Sequence, residues 1–296
     1  MEYLEIYLLE QLAAFHRCGT LSAAAEELMI SQPALSRSMQ KLEKLCGVSL
    51  FTREKKRIHL NETGKLAAAQ AEHILRMEQE MLNLIRNFDR SQRTISIGSC
   101  TPGPLMEFPG MLSSLYDGMS ISSEMAEEND LLNGLENDHY QLVILTHPVD
   151  DPLYYSQACG SEHLFISVIP AHPAAVYKDK GVTFKEMNGE TFLMNAHIGT
   201  WDAITRKNMP DSNLLLQNDA ESLLKVINAS TLPSFATDLT LRVMPGRTGR
   251  VNVPFTDPDA TMHYYCVCKA EQKKRFRDWF ALLKEQTEQH AADDGR

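Results

Sequence analysis

The clearest chemistry in the sequence lies on one short segment, residues 31–45. Gln32, Ser36, Arg37, Gln40 and Lys44 recur three or four residues apart, so a helix would place them on one side. Gln and Arg can form paired hydrogen bonds with base edges in the major groove of DNA, while Ser and Lys suit phosphate oxygens. The segment therefore predicts a helix that contacts duplex DNA through Ser31, Gln32, Pro33, Ser36, Arg37 and Gln40.

A second group of hydrogen-bonding residues lies at 98–103, after an apolar run and before a helical pattern. Small hydroxyl residues with free backbone N–H groups at a helix start favour an anion. Ser99, Cys100 and Thr101 could therefore contact a carboxylate or a phosphate. An ordinary turn with a helix cap is the alternative interpretation.

Other polar residues lie where predicted strands end, which is where open α/β sheets bind ligands. The segment 195–201 offers a polar ring, a hydroxyl and an aromatic wall in His197, Thr200 and Trp201. A single histidine is more often an ordinary hydrogen-bonded residue than a ligand contact. The remaining candidates for such a cleft are Glu128, Asn129 and Thr231.

Catalytic and metal-binding patterns are absent from the sequence. It contains no GxSxG, HExxH or GxxxxGK[ST] motif, and its six cysteines are scattered without the spacing of a zinc site. We therefore expect no enzyme activity, no metal and no cofactor. Cys100 is the one candidate for covalent chemistry, because a helix N-terminus would lower its pKa and suit a redox sensor. The alternative is a small residue that lines a turn.

Three helices are needed to present the side that contacts DNA. An apolar stripe predicts the first helix, which should end at Gly19. Thr20 or Ser22 can cap a short alanine-rich second helix, and Ser31 can cap the third. The stripe of the first helix consists of Leu4, Leu8, Leu12 and Phe15, and the inward residues of the third are Leu35, Met39, Leu42 and Leu45.

A short hairpin follows the third helix. Residues 48–51 and 57–60 alternate as two strands, and the basic tip between them includes Arg53 and Lys55. Such a wing would touch phosphate or the minor groove. A solvated surface is the plainer interpretation of a polar helix side and a basic hairpin, but their order and spacing favour DNA binding.

A long helix over residues 63–90 is predicted next, because proline is absent from Thr63 to Phe88. Apolar residues there recur with a heptad period, which favours a dimerising helix over an ordinary amphipathic one. Two symmetric copies would also suit a palindromic DNA site. The seam consists of Ala67, Gln70, Ile74, Met77, Met81, Leu84 and Phe88.

The region after residue 90 alternates short apolar runs with helical patterns, which indicates an α/β architecture with a mostly parallel sheet. The predicted strands are Ile95–Gly98, Ile121–Met125, Leu142–Leu145, Leu164–Ile169, Thr191–Met194 and Leu214–Leu216. The predicted helices are Leu105–Tyr116, Leu131–Asp138, Trp201–Asn208, Glu221–Ala229 and Lys273–Gln289.

Charge is distributed unevenly along the 296 residues, whose net charge is −10. Residues 31–60 carry seven basic and two acidic side chains, a balance of +5, whereas residues 61–296 carry 21 basic and 32 acidic ones, a balance of −11. A small basic module joined to a large acidic one favours local phosphate contact. No apolar run is long enough to span a bilayer, and glutamates interrupt the N-terminus, so we expect a cytoplasmic protein.

Several motifs together resemble the winged helix-turn-helix of LysR-type transcriptional regulators. They are Leu12-x-x-Phe15, Gly19-Thr20-Leu21-Ser22-x-Ala24-Ala25-x-x-Leu28, Ser31-Gln32-Pro33-Ala34-Leu35-Ser36, Leu42-Glu43, Gly47-x-x-Leu50-Phe51-x-Arg53 and Leu60-x-x-x-Gly64. The match is nearly unbroken over about sixty residues and is weaker beyond residue 90. Two departures are Asn61, where the family usually has Thr, and Ala229–Pro233, where it usually has a glycine-rich turn.

The resemblance implies a multidomain α+β protein. Its parts would be a winged helix-turn-helix domain (1–62), a dimerising linker helix (63–90) and a two-lobed effector domain of the periplasmic-binding-protein type (91–296). Lobe I would comprise about 91–162 and 266–296, and lobe II about 163–265, with crossings near Gly160–Leu164 and Thr261–Val267.

The resemblance also implies a function. Gln32, Pro33, Ser36 and Arg37 would contact a double-stranded operator, and Arg53 would serve the wing. A small-molecule effector, expected to be anionic if it occupies the 98–103 turn, would bind between the lobes near Ser99 and Thr101. A homotetramer built from dimers and contact with RNA polymerase are implied as well. A thiol-based redox regulator that uses Cys100 is the alternative.

Overall fold

The computed structural model describes residues 3–54, 57–243 and 248–293. The chain divides into two units, Met1–Arg86 and Asn87–Arg296. The elements of the first unit are α1 (Ile6–Cys18), α2 (Leu21–Glu27), α3 (Gln32–Cys46), β1 (Phe51–Glu54), β2 (Arg57–Leu60) and the start of α4 (Glu62–Ser91), a helix that continues into the second unit.

Local capping signals set the helices of the first unit, as the sequence predicts. Gly19 and Gly47 end α1 and α3 in the left-handed region, at φ values of 72° and 69°. Thr20 caps α2 by accepting the N–H of Ala23, and Ser31 caps α3 by accepting the N–H of Ala34.

The core of the first unit joins these helices to the hairpin. Phe15 of α1 and Phe51 of β1 pack edge to face, with ring centroids 5.3 Å apart. The apolar stripe of α1 is buried except at its first member, Leu4, which is 45% exposed because it precedes the helix. The other buried members of this core include Leu8, Leu12, Leu35, Met39, Leu42 and Leu50.

The second unit is built on one mixed sheet. Its strands are β3 (Thr94–Ser99), β4 (Ser120–Met125), β5 (Leu142–Leu145), β6 (Tyr154–Val168), β7 (Thr191–Asn195), β8 (Asn213–Gln217), β9 (Ser234–Thr237), β10 (Val251–Pro254) and β11 (Thr261–Lys269). Its helices after the end of α4 are α5 (Pro102–Leu115), α6 (Glu128–Glu136), α7 (Phe184–Met187), α8 (Thr200–Asn208), α9 (Ala220–Ala229), α10 (Asp238–Val243) and α11 (Arg277–Asp293).

The pairing of the strands divides this sheet into two lobes. β3, β4 and β5 are parallel in one, and β7, β8 and β9 are parallel in the other. β6 runs antiparallel through both lobes, pairing with β11 up to His163 and with β9 from Leu164 onward. The change of partner lies inside the segment where the first crossing is expected, and the two-lobed α/β fold class is confirmed.

The expectation of a mostly parallel sheet is wrong. β6 and β11 are both antiparallel to their neighbours, because the chain crosses between lobes on strands rather than on loops. β6 also begins at Tyr154, ten residues before the predicted strand. Four elements (α7, β9, α10 and β10) were not predicted, and β11 was expected only as a crossing between the lobes. Each strand predicted from the sequence nevertheless overlaps an observed one.

The last helix, α11, packs on α5 and β6. Trp279 of α11 packs edge to face on Phe108 of α5, with ring centroids 5.3 Å apart. The Gln157 side chain of β6 donates a hydrogen bond to the Phe280 carbonyl at 2.7 Å. Among the described residues, no helix combines the length and the apolar character that crossing a membrane requires.

Candidate functional site

The outer side of α3 is the first candidate site. Leu35, Met39 and Leu42 are buried, so the opposite side of the helix faces solvent. Of the residues predicted to contact DNA there, Ser36 is half-buried, and the exposed ones are Ser31, Gln32, Pro33, Arg37 and Gln40. The sequence-predicted polar side of the helix is therefore available to a partner.

Hydrogen bonds fix the start of this side. The Ser22 hydroxyl of α2 donates to Gln32 Oε1 at 3.3 Å, which ties the two helices together at their exposed edge. The Arg37 guanidinium donates from Nε to the Pro33 carbonyl at 3.3 Å, one turn back along α3. These contacts orient both side chains before any partner binds.

A carboxylate of α3 also joins this helix to the start of the hairpin β1–β2. Glu43 Oε1 accepts the N–H of Leu50 at 2.7 Å and that of Phe51 at 3.2 Å. Of Arg53 only the backbone is described, paired with Ile58 across the antiparallel hairpin. Lys55, the other predicted wing contact, lies outside the described residues.

Asn61 and Gly64 fix the junction between the hairpin and α4. Asn61 accepts the N–H of Gly64 at 2.8 Å and donates to the Ser49 carbonyl at 2.8 Å, so this departure from the family pattern still caps the helix. A Cβ at position 64 would lie 2.1 Å from the Leu50 carbonyl oxygen. Glycine is therefore required there by the close approach of the backbone.

The turn at 99–101 is closed on itself. The Ser99 hydroxyl donates to the Thr101 carbonyl at 2.7 Å and accepts the Thr101 N–H at 3.2 Å. The Cys100 N–H donates to the Ile144 carbonyl at 3.2 Å. All three residues of the turn are buried. The backbone N–H groups of Cys100 and Thr101, which the sequence suggested as anion donors, are thus already used.

This turn contacts the opposite lobe directly. The Thr200 N–H, at the start of α8, donates to the Cys100 carbonyl at 3.2 Å. Gly199 allows the approach, because its φ is +57° and a Cβ there would lie 2.0 Å from the same carbonyl oxygen. The structure therefore brings together Ser99, Cys100, Thr101 and Thr200, which the sequence placed in two separate segments.

The pKa of the Cys100 thiol is shifted in the direction opposite to the one expected. Burial raises the pKa of Cys100 above its usual value, and the negative charge of Glu128 raises it further, although the Thr200 side chain acts in the opposite direction. The expectation that the helix N-terminus lowers this pKa is wrong, because desolvation of the thiolate is the larger effect.

Two other candidates are exposed. Asn129 lies exposed on α6 and Thr231 on the loop after α9. Glu128 is half-buried and faces His147, with Oε1 and Nε2 3.1 Å apart. The structure does not bring these three residues to the cleft described next.

An apolar cleft lies beside the contact between the lobes. The space between its walls and in its open mouth amounts to about 940 Å³, and His197 and Trp201 line it as the sequence suggested. The walls are mainly hydrocarbon and come from the start of α5, from α9 and from β9; they include Met106, Leu223, Leu224, Ile227 and Phe235.

Glu162 of β6 is a lining residue of this cleft that the sequence reasoning missed. It is only 2% exposed. The Tyr264 hydroxyl donates to its Oε2, the Trp201 indole N–H donates to the same oxygen at 3.4 Å, and the Thr237 side chain also hydrogen-bonds the carboxyl group. Burial raises the pKa of Glu162 above its usual value.

A signal for Glu162 was present in the sequence. It is the only ionisable carboxylate inside the segment predicted to cross between the lobes, Gly160–Leu164. Its orientation toward the cleft could not be predicted, because it depends on the pairing of β6 with β11 and on the contact with Tyr264, which lies 102 positions away in the sequence.

Two family models match the chain. One, described as the bacterial regulatory helix-turn-helix protein of the lysR family, matches residues 6–65. The other, described as the LysR substrate binding domain, matches residues 89–288. The two matches coincide with the α3-bearing unit and with the two-lobed unit.

Curated relatives are distant. The chain is 26% identical over 205 residues to the RuBisCO operon transcriptional regulator of Allochromatium vinosum, covering 67% of each chain. It is 26% identical over 198 residues to the HTH-type transcriptional regulator CfxR of Cupriavidus necator, covering 65% of this chain and 62% of that one. The alignments thus span about two thirds of these relatives' own length.

Solved structures share the fold. A full-length variant of OxyR from Pseudomonas aeruginosa is 18% identical, with a TM-score of 0.53, and the match covers 96% of this chain and 95% of that chain. At this identity the similarity supports the architecture of both units and nothing more specific.

Proposed function

The chain belongs to the LysR family of bacterial transcriptional regulators, and on that premise we propose that a small molecule bound between its two lobes changes how it binds an operator. Residues 1–62 would bind DNA, residues 63–90 would dimerise, and residues 91–296 would bind the effector. The protein would act in the cytoplasm, where its DNA is.

The exposed side of α3 is the observation that carries the DNA-binding half of the proposal. Arg37 and Gln40 project from it one turn apart, and both side chains can form paired hydrogen bonds with a base. Gln32 at the helix start would reach the same groove, with Ser31 and Ser36 on phosphates. Arg53 and Lys55 of the wing would contact the backbone alongside.

Dimerisation through α4 is supported by its exposed apolar side. Ile74, Met77, Met81, Leu84 and Phe88 of the heptad seam are all exposed in the single chain, Phe88 by 65%. A second copy would cover them and would match a symmetric operator. By analogy with the family, two such dimers would form a homotetramer that contacts RNA polymerase.

Effector binding between the lobes is supported by the cleft and by the contact beside it. His197 and Trp201 line the cleft, and Thr200, which precedes Trp201 at the start of α8, donates its N–H to the Cys100 carbonyl. A ligand that favours one separation of the lobes would shift the populations of the conformations that bind DNA. Ser99 and Thr101 would act through the same contact.

The alternative of a redox switch at Cys100 receives less support. Oxidation requires the thiolate, and burial raises the pKa of this thiol. Cys100 is only 7% exposed, so peroxide would reach it poorly.

A binding assay with DNA from upstream of the protein's own gene tests the proposal. We expect a specific, salt-sensitive complex, because phosphate contacts release counterions. Arg37→Ala should weaken specific binding by about 1–3 kcal/mol, the usual value of a paired contact with a base. Arg206→Ala is a suitable control. This arginine is exposed on α8 of the second unit, where it pairs with Asp202 of the same helix, so it lies outside the unit that would bind DNA.

Three results would contradict the proposal or part of it. Absence of a specific complex would remove the regulatory function. Equal losses for Arg37→Ala on specific and random DNA would limit Arg37 to phosphate. Loss of specific binding after peroxide treatment in the unaltered chain, but not in Cys100→Ser, would favour the thiol alternative.

A further inference from the structure

We propose that the cleft between the lobes binds a lipophilic cation, a small apolar molecule whose ammonium group pairs with Glu162. This inference rests on the proposed function, because it names the ligand class of the same cleft. It differs from the anion that the 98–103 turn suggested from sequence.

Few backbone N–H groups at the start of α5 are free to bind an anion. Pro102 and Pro104 have no N–H, and the N–H groups of Cys100 and Thr101 already donate within the protein. The one remaining N–H before Leu105 belongs to Gly103.

The position beside Gly103 is already filled by a carboxylate. A Cβ at Gly103 would lie 2.6 Å from Glu162 Oε2, so the carboxyl group packs directly on the first turn of α5. The partial positive charge of a helix N-terminus favours a negative group there. The chain thus supplies its own anion at the place where an anionic ligand would be expected, and a second one would be repelled.

Within the part of the chain that the structure describes, Glu162 has hydrogen-bond donors but no cationic partner. Tyr264, Trp201 and Thr237 donate to it, and all three are neutral. Among the described lining residues of the cleft there is no lysine or arginine, and the nearby charge that affects Glu162 is another carboxylate, Asp238. His197 also lines the cleft, but its side chain is exposed to solvent.

A buried carboxylate without a cationic partner is costly, so a ligand that brings the cation stabilises the complex. A bound positive charge would also offset the effect of burial on the pKa of Glu162.

The rest of the cleft suits a hydrocarbon body. Leu223, Leu224 and Ile227 of α9 line it together with Met106 and Phe235, and these side chains would remove an aryl or short alkyl group from water. Trp201 also lines the cleft, and its indole N–H holds Glu162 Oε2 at 3.4 Å, so the carboxyl group is fixed beside this apolar part.

Thermal shift of the full-length chain with matched probes tests this inference. The probes are phenethylamine and hexylamine as cations, 2-phenylethanol and hexanol as neutral analogues, and phenylacetate and hexanoate as anions, all at pH 7. We expect at least one amine to raise the melting temperature in a dose-dependent way, with its neutral analogue weaker and its anionic analogue without effect. Glu162→Gln should weaken amine binding at least tenfold, whereas the exposed control Glu285→Gln should not.

Two outcomes would overturn the inference: anions that bind as tightly as the amines, or no shift with either amine. Unchanged amine affinity in Glu162→Gln would overturn the role of that carboxylate. The comparison of probes uses the unaltered chain, so it holds even if the variant fails to fold. Operator binding measured on the same preparations separates this inference from the proposed function. Specific DNA binding without amine binding would overturn the inference about the cation and leave the proposed function standing.

Discussion

Glu162 shows how much one side chain can change the chemistry expected of a site. The 98–103 turn has the composition of an anion-binding helix start, yet its donors are used or missing, and a carboxylate from a distant strand packs against it. Gly199 has a comparable effect on geometry, since only glycine permits the Thr200 contact with the Cys100 carbonyl. Both residues act through close packing rather than through local sequence.

The raised pKa of Glu162 predicts a specific dependence of stability on pH. When the pKa of a carboxyl group is higher in the folded than in the unfolded protein, the unfolded chain loses the proton first as the pH rises. The free energy of unfolding therefore falls as the pH rises from the pKa of the unfolded chain to that of the folded protein. Glu162→Gln removes this ionisation and with it the loss of stability at higher pH. We therefore expect the melting temperature of the variant, relative to the parent, to increase between pH 5 and pH 8.

Melting curves of both proteins at several pH values measure this difference. Burial raises the pKa of Tyr264, the hydroxyl partner of Glu162, above its usual value of 10, so this group stays protonated across the pH range compared. A difference in melting temperature that stays constant with pH would contradict the prediction.

The helices α3 and α4 differ in how far they bury their own apolar residues within the single chain. α3 is capped at both ends and buries its apolar side within its own unit. α4 instead leaves much of its heptad seam exposed over its second half, as expected of a helix whose partner is another chain. The end of α9 is likewise satisfied within the chain, because the half-buried Arg250 donates to the carbonyls of Ile227 and Ser230.

The α4 seam gives a prediction about assembly. Leu84→Glu would place a charge in the apolar contact of both copies, so we expect the dimer dissociation constant to increase at least tenfold, or about 1.4 kcal/mol. Leu84 is 40% exposed in the single chain, so the fold itself should tolerate the change. Analytical ultracentrifugation measures the equilibrium.

Asn83→Glu is the matched control, because this exposed neighbour lies outside the seam. It should leave the dissociation constant unchanged. Equal weakening by both variants would indicate general repulsion rather than a seam, and no weakening by Leu84→Glu would assign the dimer to another surface.

The whole molecule consists of two units with separate cores. One core centres on Phe15, Leu35 and Phe51, and the other on Phe192, Phe255 and Trp279. Separate cores support independent folding of the parts that recognise DNA and ligand. Coupling between the two functions must then be carried by the assembly and by α4, which continues from one unit into the other.

Two calorimetric unfolding transitions are therefore expected for the full chain. Operator DNA should raise the transition of the first unit, and a ligand of the cleft should raise that of the second, since each stabilises the state it binds. Isolated residues 87–296 provide the control that assigns the second transition. A single transition that shifts equally with DNA and with ligand would contradict the independence of the units.

Local structure and much of the family-level function could be predicted from the order of the residues alone. Gly19, Thr20, Ser31 and Gly47 act within a turn of their own position, and the periodicity of α3 fixes which side is exposed, so these features depend only on neighbouring residues. The direction of the strands, the contact of Thr200 with Cys100 and the burial of Glu162 in the cleft emerged only from the folded chain. Each of these joins residues far apart in the chain, and their energy depends on packing and desolvation that no local pattern records.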